Sequence, residues 1–123
     1  MYTMNQLTII GFTGKEAEAH YTPNGTLIVM ISVATKESWK DADGNWQSRT
    51  DWHRIVSFGK QAEFTRTLTK GSYVMVQGAV RTREYERDGA KHRIVEGRPD
   101  TIGKLDRAER RAESDGEPDA GDA

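Results

Sequence analysis

Apolar residues recur at every second position in one segment of this 123-residue chain, and this pattern restricts the fold more than any other. From Leu27 to Ala34, alternate residues are Leu, Val or Ile, and the residues between them are also largely apolar. A strand with two apolar faces is typical of the centre of a sheet, because both faces must be covered. We therefore expect a β-rich domain built around residues 27–34.

Four further segments carry strand signals, and one short segment has the apolar spacing of a helix. In chain order, the predicted elements are strands at 7–10, at 27–34 and from Thr50, a helix from Gln61 to Leu68, and strands at 73–85 and 91–105. Asp43-Gly44, in a polar loop at 41–48, and Asp88-Gly89 mark hairpin turns. Gly97 and Pro99 interrupt the last segment, so an edge or bulged strand is expected there.

Five strands with a helix between the third and the fourth follow the element order of an OB-fold. The predicted fold is therefore all-β, a five-stranded Greek-key barrel with one short helix. Barrels of this type bind sugars and proteins as well as nucleic acids, so the order of elements does not decide the ligand.

The strand that begins at Thr50 combines aromatic rings with a cation on one face. Alternation places Trp52, Arg54 and Phe58 together, and it turns His53 and Ile55 to the other face. Rings at strand spacing beside a guanidinium suit a flat, anionic, repeating ligand such as single-stranded nucleic acid. The alternative is a strand whose aromatic side chains fill a core.

Charge is unevenly distributed along the chain, although the formal net charge is only -1. Residues 1–105 hold 15 Lys and Arg against 12 Asp and Glu, whereas residues 106–123 hold 3 against 7. Apolar residues almost cease after Leu105. We predict a mildly basic OB-fold domain over 1–105, able to hold a phosphate chain, and a flexible, disordered acidic tail over 106–123.

Composition excludes several classes of protein and site. Cysteine is absent, which rules out disulfides and thiolate metal sites. No apolar run approaches the roughly 18 residues of a membrane span, and no signal peptide is evident, so an intracellular, cytoplasmic protein is expected. His20, His53 and His92 lack metal-ligand spacing, and neither a metal nor another cofactor is predicted.

Short motifs over residues 5–105 occur in the order that is typical of one protein family. They are Ile9-Ile10-Gly11, Tyr21 to Gly25, Val33 to Trp39, Thr50 to Arg54, Phe58-Gly59-Lys60, Lys70-Gly71-Ser72, Val76-Gln77-Gly78 and Arg81-Thr82-Arg83. With these motifs the chain resembles the bacterial-type single-stranded DNA-binding proteins, the SSB family. The resemblance implies an OB-fold, a homotetramer with single-stranded DNA wrapped around its outside, and a location in the bacterial cytoplasm or nucleoid, or a phage origin.

The resemblance also implies roles for individual side chains. The residues expected to stack on bases are Trp39, Trp52, Phe58 and Tyr85. The residues expected to contact phosphates are Lys36, Lys40, Arg54, Lys60, Arg81 and Arg83. His53 occupies a position that lies at a subunit contact in the family. Trp46, in the predicted loop, has three open roles: stacking on DNA, capping the hairpin or contacting a second subunit.

The end of the chain departs from the family pattern. Family members usually end in acidic residues followed by an apolar tip that docks into replication and repair proteins. The segment from Glu117 to Ala123 has the acidic residues but no large apolar residue. Recruitment of such proteins is therefore expected to be weak or absent.

Two classes of function follow from the sequence. The first is a sequence-tolerant protein that coats and protects single-stranded DNA during replication, recombination and repair. The second is an OB-fold adaptor for protein interactions, with weak or no DNA binding. An enzyme is not predicted, because the chain has no Gly-rich phosphate loop, no Cys nucleophile and no clear His-carboxylate cluster.

Overall fold

The computed structural model describes residues 1–106, and β-strands make up most of them. The strands are β1 (Leu7–Thr13), β2 (Glu18–Tyr21), β3 (Leu27–Lys40), β4 (Trp46–Phe58), β5 (Tyr73–Arg87) and β6 (Ala90–Lys104). A short helix, α1 (Gly59–Thr65), joins β4 to β5. Within this part of the chain, no helix combines the length and apolar character that crossing a membrane requires.

Five of the strands close into a barrel. The strand order is β1-β5-β6-β4-β3-β2, and an additional pairing of β1 with β3 completes the ring. The predicted five-stranded OB-fold is thereby confirmed. The sixth strand, β2, pairs with β3 alone and was not predicted, because all four of its side chains are exposed and give no apolar pattern.

The barrel interior is filled by alternate side chains of the central strands. Val29 and Ile31 of β3, Ile55 of β4, and Val74 and Val76 of β5 are buried in one cluster. The second face of β3, from Ile28 to Ala34, is half-buried rather than fully covered, so the expectation of two buried faces is only partly correct.

Helix α1 begins and ends two to three residues earlier than the sequence predicts. Ala62 packs into the core cluster from the helix, and Leu68 reaches the same cluster from the turn that follows it. Ser57 of β4 and Thr65 of α1 are buried, and their hydroxyl oxygens are hydrogen-bonded at 2.9 Å. These contacts fasten the helix to the barrel between β4 and β5.

Two long hairpins continue beyond the barrel. Strands β3 and β4 pair without interruption from Ile28 opposite Phe58 to Lys40 opposite Trp46, so the connecting loop is shorter than the predicted 41–48. At its tip, the Asp41 carboxylate accepts hydrogen bonds from the backbone of Asp43 and Asn45. Strands β5 and β6 turn at Asp88-Gly89, where both residues have positive φ, as the predicted hairpin requires.

The last strand, β6, is continuous and lies between β5 and β4, so it is not an edge strand. The predicted bulge is present: the register with β5 shifts between Gln77 and Gly78, and Gly78 faces Pro99. On its other side, β6 shares a single register pair with β4, Ile55 opposite Gly97. Pro99 is tolerated at this position because the ladder is already irregular there.

The end of the described chain is tied to the barrel. The backbone N–H of Tyr73 donates to Asp106 Oδ1 at 2.9 Å, and Lys104 Nζ lies 4.0 Å from Asp106 Oδ2. Side-chain contacts with the domain thus reach one residue past the predicted boundary at Leu105. The rest of the predicted tail, residues 107–123, lies outside the described residues.

Gly78→Ala is expected to destabilise the fold by about 1–3 kcal/mol, because the structure has no room for a methyl group beside the bulge. A Cβ at Gly78 would collide with the Arg98 carbonyl and lie 2.8 Å from Pro99 Cα. The control is Gly103→Ala, where a Cβ meets nothing within 4 Å. Urea unfolding of both variants measures the difference, and equal midpoints would contradict the close approach.

Candidate nucleic-acid interface

The outward face of β4 carries aromatic and basic side chains together. Since Ile55 points into the core, alternation turns Trp46, Trp52, Arg54 and Phe58 outward. The unbroken register with β3 adds Lys36, opposite Thr50, and Lys40, opposite Trp46, to the same face. The structure thus brings together Trp52, Arg54 and Phe58, as alternation predicts.

The β5–β6 hairpin continues this outward face. Val74 and Val76 point inward, so Arg81, Arg83 and Tyr85 point outward from β5. On β6, a Cβ at Gly97 would meet Leu7 and Ile55 in the core, which places its neighbours Glu96 and Arg98 on the outer face. Arg81 and Arg83, the two predicted phosphate contacts of β5, therefore share a surface with Arg54 of β4.

Trp52 is a ring supported from one side. A Cβ at Gly14 would collide with the Trp52 indole, so the indole lies directly against the backbone of Gly14. The Trp52 side chain is nevertheless 60% exposed, and Lys15 lies beside it in a shallow cavity. A supported indole with an open face is the geometry that stacking on a base requires.

Phe58 and Arg98 form a second aromatic and cationic pair. The Arg98 guanidinium carbon lies 4.5 Å from the centroid of the Phe58 ring, within the range of a cation–π interaction. Arg98 is not among the residues that the sequence predicts to contact the ligand. Arg98 follows Glu96 by two residues, a spacing that places both side chains on one face of a regular strand. The irregularity expected around Pro99 concealed this relation.

Glu96 is a buried carboxylate surrounded by three arginines. Its Oε2 lies 2.7 Å from Arg98 Nε, and its Oε1 lies 3.1 Å from Arg83 Nε and 3.5 Å from Arg54 Nε. We call Arg54, Arg83 and Arg98 the arginine cluster. Together with Phe58 they line a groove of about 340 Å³ on the outer face.

Two members of the arginine cluster, Arg98 and Arg83, keep Glu96 ionised. Burial by itself raises the pKa of the carboxyl. The hydrogen bonds from Arg98 and Arg83, with the positive charges of both guanidiniums, outweigh burial and hold the pKa below its ordinary value of 4.5. Three cations around one anion leave two positive charges that Glu96 does not neutralise. This surplus gives the groove an affinity for anions.

The hairpin arms carry two further aromatic contacts. The Tyr85 and His92 rings stack across the β5–β6 hairpin with centroids 5.2 Å apart, and Tyr85 is half-buried. Lys40 Nζ lies 5.6 Å from the centroid of the Trp46 ring, which is 70% exposed. Trp46 thus shares the outward face with Trp52, which the prediction of a loop at this position did not reveal.

Three predicted residues lie away from this outward face. Trp39 pairs with Gln47, which places it on the opposite face of the β3–β4 hairpin. Lys60 lies on α1 and lines a separate groove with Tyr21 and Arg66. His53 alternates inward, is half-buried, and its Nε2 lies 2.9 Å from Thr35 Oγ1. Its role in assembly stays a prediction.

A separate surface of the barrel exposes apolar side chains. Ile10 and Phe12 of β1 point outward, and the Phe12 ring stacks on Tyr73 of β5 with centroids 4.7 Å apart. Met75 lies opposite Ile10 in the same pair of strands. We call these four residues the apolar strip.

Among residues 1–106, no group of three or more His, Asp or Glu side chains is arranged to hold a metal ion.

The fold and the outward face define a class of protein: a small OB-fold barrel with a surface of aromatic rings and arginines that suits oligonucleotides. The chain belongs to the single-strand binding protein family, whose model matches residues 4–105. This assignment confirms the resemblance found in the sequence.

Solved structures with the same fold include single-stranded DNA-binding proteins of two organisms. The Plasmodium falciparum SSB in complex with single-stranded DNA is 29% identical, with a TM-score of 0.76, and the match covers 86% of this chain and 98% of that chain. Wild-type and deletion-mutant proteins of Thermus aquaticus are 30% identical, with TM-scores of 0.72 and 0.74. Those two matches cover 85% of this chain and 51% of each Thermus chain, so this chain spans about half their length.

The ionised state of Glu96 predicts a specific sensitivity to acid. A carboxyl whose pKa is lowered by folding stabilises the protein above its unfolded pKa, and that contribution is lost as the pH falls through the folded pKa. The wild-type advantage in Tm over Glu96→Gln should therefore shrink between about pH 5 and about pH 2. Thermal unfolding followed by circular dichroism across this range measures it.

The control for this prediction is Glu84→Gln, which removes a carboxylate from an exposed position with no ion pair among the described residues. Its Tm should follow that of the wild type at every pH. Parallel Tm curves for the wild type and Glu96→Gln would contradict the ionised, arginine-bound state of Glu96.

Proposed function

We propose that the protein is a sequence-tolerant single-stranded DNA-binding protein and not an enzyme. The observation that carries this proposal is the single outward face on which Trp52 and Phe58 accompany the arginine cluster. Base stacking uses the ring face that every base has, and guanidiniums contact a backbone that is the same for every sequence. The match to a family member complexed with single-stranded DNA supports the same ligand.

The same surface fits a single strand better than a duplex. Stacking on Trp52 requires an unpaired base, because the bases of a duplex already stack on one another. The long β3–β4 and β5–β6 hairpins extend the outward face beyond the barrel, and Trp46, Lys40 and Tyr85 lie along them. We propose that one strand follows this face from the arginine cluster toward the hairpin arms.

The remaining predicted contacts are retained as proposals. Trp39 would stack on a base where the DNA passes to the opposite face of the β3–β4 hairpin, and Lys60 would meet a phosphate beside α1.

Coating of single-stranded DNA by this protein would serve replication, recombination and repair in the cytoplasm.

Assembly into a homotetramer is proposed from the apolar strip. Ile10 and Phe12 are 49% and 53% exposed, and with Tyr73 and Met75 they form a continuous apolar surface on paired strands. A second copy of the chain would remove this surface from water. The strip lies on β1 and β5, away from the groove that Arg54 and Phe58 line, so assembly leaves the arginine cluster open.

The proposed ligand is tested with a fluorescent oligo-dT longer than about 16 nucleotides, the upper site size of a single OB-fold. We expect tight binding, effective competition by unlabelled single strands of any sequence, and weak competition by duplex of equal length. A steep fall of affinity with salt is expected because phosphate contacts release counterions. Equal affinity for duplex and single strand would contradict the proposal, and an absence of oligo-dT binding would favour the adaptor.

Phe58 and Phe64 provide a matched pair for testing the binding face. Their side chains are 40% and 38% exposed, but Phe58 lies in the arginine groove and Phe64 lies on α1. Phe58→Ala should weaken oligo-dT binding by about 1–3 kcal/mol, as should Trp52→Ala, whereas Phe64→Ala should have little effect. Equal losses at Phe58 and Phe64 would place the strand elsewhere.

Phe12→Glu tests the role of the apolar strip in assembly. A carboxylate in the centre of an apolar contact is costly to bury, so the variant should dissociate at concentrations where the wild type is tetrameric. Analytical ultracentrifugation measures the change, and Phe64→Glu is the control because it makes the same substitution on α1, outside the strip. A tetrameric Phe12→Glu protein, or a monomeric wild type, would contradict this interface.

A further inference from the structure

We infer that the arginine cluster is the binding site for one backbone phosphate of the single strand, and that Glu96 is the positioning residue that holds its three guanidiniums. This inference rests on the proposed function. It adds Arg98 to the ligand contacts, and it gives Glu96 a role although Glu96 does not touch the ligand.

The geometry separates the carboxylate from the ligand. All three ion pairs join Glu96 to a guanidinium through Nε, with N···O distances of 2.7 Å, 3.1 Å and 3.5 Å. The Glu96 side chain is only 1% exposed, whereas those of Arg98, Arg54 and Arg83 are 28%, 38% and 46% exposed. The carboxylate therefore lies beneath the guanidiniums, and their terminal Nη donors remain available on the solvent side.

The surplus charge of the cluster suits a further anion. Three guanidiniums meet one carboxylate, so two positive charges have no partner in Glu96. Arg54 Nε is buried and makes no hydrogen bond within the described residues. A phosphodiester brings one negative charge and two oxygen acceptors, which match the fork of Nη donors that a guanidinium presents.

Phe58 restricts the motion of the third guanidinium. Arg98 is held between the Glu96 carboxylate and the Phe58 ring, so its guanidinium is bound through Nε on one side and through its face on the other. An arginine that is already ordered loses less conformational entropy when it meets a phosphate. Lysine would keep the charge at this position but would lose both the Nε contact and the planar fork.

Two variants test this inference, each with a matched control. Arg98→Lys keeps the charge and removes the fork, and its control is Arg93→Lys at an exposed position of the same strand. Glu96→Gln removes the carboxylate charge beneath the cluster, and Glu84→Gln makes the same charge change on the neighbouring strand. Each protein is titrated with oligo-dT and with an abasic strand of equal length, after its Tm has been recorded.

We expect Arg98→Lys and Glu96→Gln to weaken binding of both strands by about tenfold, as the loss of a charge-assisted hydrogen bond to phosphate predicts. The two controls should stay within about twofold of the wild type. Glu84 and Arg93 pair with each other on the face of the β5–β6 hairpin opposite to the cluster. A loss of affinity in Glu96→Gln is the more discriminating result, because it separates a positioning role from electrostatic repulsion. If Glu96 acted only as a repulsive charge, its removal would tighten binding.

Several results would overturn the inference. They are tighter binding by Glu96→Gln, wild-type affinity in Arg98→Lys, and a loss in Arg98→Lys with oligo-dT but not with the abasic strand, which would assign Arg98 to a base. If Glu96→Gln fails to fold, Arg98→Lys decides alone. A wild-type protein that binds neither strand refutes the proposed function as well, whereas normal binding by all variants refutes this inference alone.

Discussion

Closure of the barrel determines which side chains of this protein meet the solvent. Each strand in the closed ring sends alternate residues into one shared core, where Val29, Ile55 and Val76 pack together. The residues between them therefore face outward, because successive side chains of a strand point to opposite faces. The apolar core and the outward face therefore follow from the same alternation, since burial of Ile55 turns its neighbour Arg54 outward.

This coupling explains what the sequence reveals and what it hides. The core of β3 and the shared face of Trp52, Arg54 and Phe58 follow from local alternation, and both are visible in the sequence. Arg98 and Glu96 are not, because their place depends on the bulge opposite Gly78 and on the meeting of β6 with β4, which are far apart in the chain. The exposed strand β2 has no apolar pattern to detect.

Glu96 links the stability of the fold to the chemistry of its surface. Burying a carboxylate is costly unless cations and hydrogen bonds compensate for it, and here the compensation comes from β4, β5 and β6 together. The residues that keep the carboxylate charged are the ones that give the groove its positive potential. Stability and ligand affinity at this position therefore cannot be optimised independently, since a change in either alters the same ion pairs.

The unbroken pairing of β3 with β4 has a consequence for how proteins of this shape can diverge. A single inserted residue within either strand would exchange the two faces beyond the insertion, moving Trp46 or Trp52 to the wrong side. Length can change without this penalty at the tip, around Asp41 to Asn45, or by matched two-residue steps in both arms. The reach of the hairpin is thus an adjustable dimension, whereas the orientation of its side chains is fixed at the barrel.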